Sequence, residues 1–392
     1  MNNKVSLKRL GDIVNFKRGY DLPSYNRRDG QYPILSSSGI SGYHAEYKIE
    51  GEGLVTGRYG TLGEVYYING KYWPHNTALY VTDFKGNHPK YVYYLMKCLG
   101  NLKTSDKSTV PGINRNDLHE IVIPYIEPKY QKPIATVLSA LDGKIELNQR
   151  INAELEQVAK TLYDYWFVQF DFPNEKGQPY KSAGGKMVWD EKLYKEIPDG
   201  WLVKPLGKVL KTNLGGTPST KNPEYWENAT IPWLNSGDLV EFPIIKPSSF
   251  VTKKGVDNSA TTILPKGSVV ISLVRYIRPS IIALEACANQ SVVGIRETEE
   301  IKSAFIYPYL VNEVPRLMSL RTGAQQPHIN KETIDDSPLC IPPVNILKEY
   351  YKISEPIYKK IINVAFESQT LTELRDWLLP MLMNGQVTVN GL

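Results

Sequence analysis

An α+β protein of two globular domains, each followed by a long helix, is the architecture expected of this 392-residue chain. Three features lead there. The chain repeats itself: Leu155-Glu-Gln-Val-Ala-Lys-Thr-Leu162 matches Leu371-Thr-Glu-Leu-Arg-Asp-Trp-Leu378 at an offset of 216 (371 − 155). Gly11 pairs with Gly207, Pro33 with Pro232, Gly53 with Gly267 and Ile113-Asn114 with Ile329-Asn330, the offset drifting from 196 to 216. Each copy opens with short strand-like runs between Gly, Pro, Asn and Ser, and closes on a heptad run of apolar residues. The drift places about 20 extra residues in the first part of the second copy. An internal pseudo-twofold repeat of two domains follows, too few copies for a solenoid.

In the first copy the strand candidates are Tyr32-Pro-Ile-Leu-Ser36, Gly53-Leu-Val-Thr56, Gly63-Glu-Val-Tyr-Tyr-Ile68 and Thr77-Ala-Leu-Tyr-Val81, with a short helix over Lys90–Lys97. From Ile134 the period changes to a seam of Ile134, Val137, Leu141, Ile151, Leu155, Val158, Leu162 and Tyr165. It is interrupted by Lys144 at a d position and Asn148 at an a position. Pro133 suits the first turn of this helix, whose roughly 32 residues would span about 48 Å. Phe172–Gly185 is a turn-rich linker.

In the second copy the strand candidates are Thr230–Leu234, Gly267–Ser272, Ser280–Leu284 and Ser291–Ile295, and Pro342-Pro343 closes the domain. The second helix is expected over about Ile346 to Met383, with Ile357, Val364, Leu371 and Leu378 at a and Ile353, Leu374 and Met381 at d. Pro356 belongs in a first turn or removes a hydrogen bond, and Pro380 should kink or end the helix. Side by side, the two seams make a coiled coil within one chain, with Asn148 setting its register. The alternative is that each helix packs only on its own domain.

A content of 42% hydrophobic and 22% charged residues excludes a disordered or fibrous chain. The net charge of +5 permits a nucleic-acid partner without requiring one. Cys98, Cys287 and Cys340 stand far apart and the five His form no His-x-x-x-His pair, so neither a metal site nor a disulfide framework is expected. With no apolar signal core at its start and no membrane-length apolar stretch, the chain is expected to be soluble and cytoplasmic.

No catalytic constellation emerges. Asn222-Pro-Glu-Tyr225 resembles the Asn-Pro-Pro-Tyr motif of amino-methyltransferases, but Glu224 stands where the second Pro belongs. Gly57-Arg-Tyr-Gly-Thr-Leu-Gly63 lacks the Lys-Ser/Thr of a phosphate loop and reads as a β-turn. Glu46-Tyr-Lys48 and Asp83-Phe-Lys85 have nuclease-like spacing but no preceding Pro-Asp.

What the chain does carry is loops mixing small hydrogen-bonding, basic and aromatic residues. In the first copy the DNA-binding candidates are Ser36, Ser37, Ser38, Tyr43, Arg58, Tyr59, Lys107 and Ser108. In the second they are Thr217, Ser219, Thr220, Lys221, Asn235, Ser236, Arg275, Tyr276, Arg278, Arg321, Thr322, Gln325 and Gln326. Arg can bond guanine through two donors, Gln and Asn can bond adenine, and Ser or Thr can meet bases or phosphates. Lys and Arg add attraction to phosphate. Taken singly, such loops are also ordinary turns.

Gly215-Gly-Thr-Pro-Ser-Thr-Lys-Asn-Pro-Glu-Tyr-Trp226, with Ile231-Pro-Trp-Leu-Asn-Ser-Gly-Asp-Leu239 after it, resembles the target-recognition signature of type I restriction–modification specificity (S) subunits, the HsdS family. Tyr32-Pro-Ile-Leu-Ser-Ser-Ser-Gly-Ile-Ser-Gly-Tyr-His44 resembles it too. Ala159-Lys-Thr-Leu-Tyr-Asp-Tyr-Trp-Phe167 resembles the end of that family's central helix, and Leu374–Gln386 the end of its last helix. The resemblance implies target-recognition domains at 1–130 and 201–343, long helices at 131–170 and 344–388, and a linker at 171–200. It implies an antiparallel helix pair acting as a ruler between two DNA half-sites. It also implies DNA methyltransferase (M) and restriction (R) subunits as partners, which would hold S-adenosylmethionine, ATP and magnesium, with no cofactor in this chain. Isolated chains could then pair through exposed seams. A stand-alone DNA methyltransferase or nuclease, and a protein-binding scaffold, are the alternatives.

Overall fold

The computed structural model describes residues 5–57, 64–99, 114–323 and 325–389. The chain divides into two compact units, residues 1–146 with 369–392 and residues 147–368. Two long helices, Pro128–Tyr163 and Val344–Met383, each contribute residues to both units.

The first unit is built on a six-stranded sheet. Its order is Asn15–Arg18, Ala78–Asp83, Ile49–Gly57, Val65–Pro74, Tyr32–Ser36, Gly39–His44. The expected Tyr32–Ser36 strand is present at those bounds; Gly53–Thr56 lies within the strand Ile49–Gly57, Gly63–Ile68 overlaps Val65–Pro74, and Thr77–Val81 overlaps Ala78–Asp83. The helix Pro89–Leu99 lays Tyr91, Val92, Leu95 and Met96 against Leu54, Val65 and Leu79 of the sheet. A separate antiparallel pair, Val5–Arg9 with Val122–Ile126, holds the entry to the long helix. Asn114 caps the short helix Arg115–Glu120 by accepting from the Asn116 amide at 3.0 Å. Gly11 lies against that helix, where an added Cβ would sit 2.8 Å from His119 Cβ. Fully buried Gln131 accepts from the His88 amide and donates to the Ile126 carbonyl and Asn87 Oδ1, each at 2.8 Å. Its bonds tie the helix to two segments of the domain, the Asn87-His88 turn and the end of the Val122–Ile126 strand.

His119 Nε2 accepts from the Phe16 amide at 3.0 Å, so it must be unprotonated there. Burial, then the charges of Arg115 and Lys85, hold its pKa below the usual imidazole value. Burial does the same to His75 and His88. Native protein therefore binds fewer protons than unfolded chain in that window. Stability is full above the unfolded value, about 6.5, and is lost as pH falls through the lower folded values. The thermal midpoint is expected to drop between about pH 7 and pH 5, and more shallowly in His119→Gln. Equal slopes for the two proteins would refute the assignment.

The second unit holds a four-stranded sheet ordered Thr212–Leu214, Val292–Ile295, Val269–Ser272, Pro279–Ile281. A three-stranded sheet runs Ser249–Val251, Ile231–Leu234, Cys287–Ala288. Here too an antiparallel pair, Leu202–Pro205 with Pro338–Ile341, stands beside a capped short helix. Asn330 accepts from the Thr333 amide at 2.9 Å, and Gly207 lies where an added Cβ would be 2.7 Å from Asp335 Cβ. Much of the extra length falls between Pro232 and Gly267, in a stretch carrying the strand Ser249–Val251 and the helix Lys253–Asp257. The helix Ser303–Ser319, with Pro308 and Pro315 inside it, lies where the sequence reading places no element.

Where the first long helix ends, Asp164–Val168 form a π turn closed by the Gln169 amide on the Asp164 carbonyl at 2.8 Å. Both Trp166 and Phe167 are buried there, among Tyr163, Phe305, Tyr350 and Trp201.

The helices depart from the expected seam in definite places. The first starts at Pro128, so Pro133 lies inside it and not in its first turn. The second runs through Pro356 and continues past Pro380 to Met383. Both prolines are exposed, as are Lys352 and Asp376 four residues earlier, so the carbonyls they strand can bond water. Leu141, Ile151, Leu155, Leu162, Ile357, Leu371 and Leu378 are half-buried, and Asn148 and Val364 buried. Val158 is an exception at 51% exposed, with Ala159 taking the inward position. A straight helix drifts by about 20° per heptad, which by the fourth heptad moves the seam by nearly one residue. Leu374 and Ile353 also face out. In place of Leu374 the inward group is Arg375, drawn to Asp142 at 2.8 Å while Tyr94 donates to the other Asp142 oxygen at 2.7 Å. In the second unit Asn148 donates to Glu367 at 2.9 Å and Asn152 to the Ile361 carbonyl at 3.2 Å. Rising numbers on one helix meet falling numbers on the other, so the segments there run antiparallel.

Candidate nucleic-acid interface

In the first unit Ser36, Ser37 and Ser38 form the turn between Tyr32–Ser36 and Gly39–His44. They are not equivalent. Ser36 is buried, and its hydroxyl donates to the Gly39 carbonyl at 3.1 Å, so it builds the turn and is not offered to a ligand. The Ser37 amide donates to Thr77 Oγ1 at 3.4 Å. Ser38 and Tyr43 are exposed. Beside this turn lies a segment that sequence reasoning missed. His75 Nδ1 is 3.1 Å from Thr77 Oγ1, and Arg18 Nε donates to the Asn76 carbonyl at 3.3 Å. Lys17 and Lys48 lie over the Tyr20 ring; at the opposite, open end of the hairpin Arg28 pairs with Glu46. The dibasic pairs Lys17-Arg18 and Arg27-Arg28, flanking Tyr20 and Tyr25, were the available signal. Arg58, Tyr59, Lys107 and Ser108, with the Gly-rich stretch from Arg58 to Gly63, lie outside the described residues.

In the second unit the candidates sort into two groups. Thr217 bonds Gln290, while Ser219, Thr220 and Lys221 are exposed on the same loop. Trp226 Nε1 donates to the Ser219 carbonyl and Trp233 Nε1 to the Gly216 carbonyl, both at 3.1 Å, so the Gly215–Trp226 motif is held by indoles. Asn235 is committed to structure. Its Nδ2 donates to Ser248 Oγ at 2.8 Å and its Oδ1 accepts from the Gly237 amide at 2.6 Å. Ser236 beside it is half-buried. In this structure its amide is engaged in closing a turn. Asn235→Ala is expected to cost about 1–3 kcal/mol of stability, read by denaturant unfolding, and to leave base preference unchanged. A changed preference with full stability would restore the contact role.

The second group is brought together by tertiary structure. Arg275, Tyr276 and Arg278 lie between Val269–Ser272 and Pro279–Ile281, while Thr322, Gln325 and Gln326 follow the helix Ser303–Ser319. Thr322 and His328 exchange amide–carbonyl bonds of 2.9 Å, and the Arg275 amide donates to the Pro327 carbonyl at 2.9 Å. Arg275, Tyr276, Thr322, Gln325 and Gln326 are exposed. Arg321 is not a free contact: its Nε donates to the Met318 carbonyl at 3.0 Å and its Nη1 to the Arg275 carbonyl. The result is a surface with two guanidinium groups, a phenol and two amides, a set that can bond base edges and phosphates. Among the described residues no group of three His, Cys, Asp or Glu could hold a metal ion. No described helix is long and apolar enough to cross a membrane.

Loops of this composition on separate mixed globules have the chemistry of a nucleic-acid reader, and comparison with known proteins gives the class. The family model described as the type I restriction modification DNA specificity domain matches twice, over residues 2–157 and 198–374. The chain belongs to this family of DNA-specificity proteins. It is 30% identical over 312 residues to the type I restriction enzyme MjaIX specificity subunit of Methanocaldococcus jannaschii, covering 77% of this chain and 70% of that one. It is 24% identical over 338 residues to the HindI specificity subunit of Haemophilus influenzae, covering 72% of each. Its fold resembles that of the S subunit of the type-I restriction-modification system from M. genitalium, at a TM-score of 0.63 and 18% identity, covering 97% of this chain and 96% of that one.

Proposed function

We propose that this chain reads a bipartite DNA target, one globule per half-site, for a type I restriction–modification complex. The observation that carries the reading is the double match of one DNA-specificity domain to two successive parts of the chain. An internal repeat with recognition domains at about 1–130 and 201–343 accords with it. So do the antiparallel pair beside an Asn-capped helix found in each unit, and the constant 216-residue offset of the helices (371 − 155). The long helices at 131–170 and 344–388, joined to the second domain through 171–200, act as an antiparallel coiled coil that sets the spacing of the half-sites. The antiparallel contacts of Asn148 and Asn152 favour that arrangement.

The chain itself is non-catalytic in this reading. DNA methyltransferase subunits dock on it and restriction subunits join them in the full complex. S-adenosylmethionine, ATP and magnesium are bound by those partners. The complex works in the cytoplasm, where its DNA is. Without partners, the exposed apolar positions Val158, Leu374 and Trp377 are available for self-association.

Selection of duplexes from a random pool by the full chain with its methyltransferase partner tests the reading. Enrichment of a two-part sequence with a fixed spacer is expected. Enrichment of nothing, or binding insensitive to salt, would refute it, because phosphate contacts make DNA affinity fall steeply with salt. DNA modification by the chain alone would instead make it an enzyme.

A further inference from the structure

We propose that Arg278 reads a guanine in the half-site of the second globule, and that Arg321 is a positioning residue which holds the loop bearing it. This rests on the bipartite DNA reading and assigns the chemistry of one of its sites.

The loop is built before any ligand arrives. Arg275 has φ +59°, the left-handed region that L residues other than Asn and Asp seldom occupy. It is pinned from both sides. Its amide donates to the Pro327 carbonyl at 2.9 Å, and its carbonyl accepts from Arg321 Nη1. Ser272, 1% exposed, closes the far side: its hydroxyl donates to the Tyr276 carbonyl at 2.6 Å and accepts from the Arg278 amide at 2.9 Å. A backbone fixed at Arg275, Tyr276 and Arg278 presents its side chains in one geometry.

The Arg278 guanidinium carbon lies 4.9 Å from the centroid of the Tyr276 ring, which is 62% exposed. Among the described residues its guanidinium N–H groups have no hydrogen-bond or ion-pair partner. The ring face orients the guanidinium plane without using its donors. A planar fork with free donors, fixed on an exposed aromatic plate, matches the O6 and N7 acceptors of guanine in the major groove. Arg321 differs, since two of its nitrogens are already spent on the Met318 and Arg275 carbonyls. Its contribution is to hold the turn.

The test uses the full chain with its methyltransferase partner and the duplex that the wild type selects. One guanine of the second half-site should lose its preference in Arg278→Ala, by about tenfold or more, with the other positions and the first half-site unchanged. Replacing that base with 7-deazaguanine, which lacks the N7 acceptor, should weaken the wild type and leave Arg278→Ala unaffected. Arg321→Ala should blunt the same preference while leaving the salt dependence of affinity unchanged. A phosphate contact would instead lower the salt slope by about one. Arg321→Lys, which keeps a charge but cannot span both carbonyls, should behave as Arg321→Ala does. An unchanged second half-site in Arg278→Ala overturns the base assignment. A lowered salt slope without loss of guanine preference overturns the positioning role. If the wild type enriches no two-part sequence, the bipartite reading itself has failed.

Discussion

Phe167→Ala is expected to destabilise the protein by about 3–5 kcal/mol, the range for deleting a packed aromatic side chain. Phe167 is 6% exposed. Its ring meets Tyr350 at 4.8 Å and 76°, Phe305 at 4.9 Å and 87°, and Tyr163 at 5.1 Å. Such edge-to-face contacts add to area burial, and three different helices supply them, so no single neighbour can collapse into the space. The neighbouring Val168 is 46% exposed, and Val168→Ala should stay within about 0.5 kcal/mol of the wild type. Denaturant unfolding of the two variants decides the matter. Equal midpoints would mean that the π turn does not anchor the helix end through Phe167.

Adding one heptad after Glu146 and another after Ser368 is expected to lengthen the preferred DNA spacer by about three base pairs. Seven residues add about 10.5 Å of helix, against 3.4 Å per base pair. They turn the helix by nearly two whole turns, about 20° short, so the apolar faces still meet. Asn148 and Glu367 flank the insertion points and can keep their bond. A heptad in one helix alone should instead destabilise the protein, because partners on one side of it would fall out of register. Spacer lengths read from selected duplexes give the answer. An unchanged spacer in a stable double-insertion variant would remove the ruler role and leave base reading intact.

Elements that carry a period or a punctuation mark are legible in the amino-acid sequence. Tyr32–Ser36 alternates and is bounded by turn residues, and it is a strand at those bounds. The second long helix is expected at Ile346–Met383 and runs Val344–Met383, since its apolar period outweighs two exposed prolines. The inward face is less legible. A strict heptad names Val158 and Leu374, while helix drift and the Asp142–Arg375 pair put Ala159 and Arg375 inside. The site is legible only as composition. Ser36 and Asn235 have suitable donors and acceptors, yet their own turns use them.

Local order and the division into two similar halves were determined by the sequence alone, because periodicity, turn chemistry and capping act over a few neighbouring residues and survive as patterns. Which polar groups remain free was decided only by the tertiary structure. Arg275, Arg278 and Arg321 look alike in sequence. A bond spanning 46 residues, from Arg321 to the Arg275 carbonyl, makes one of them scaffold, while Arg278 keeps its donors beside the Tyr276 ring. A hydrogen-bond donor can be spent once, and its partner is chosen by a fold that brings distant loops together.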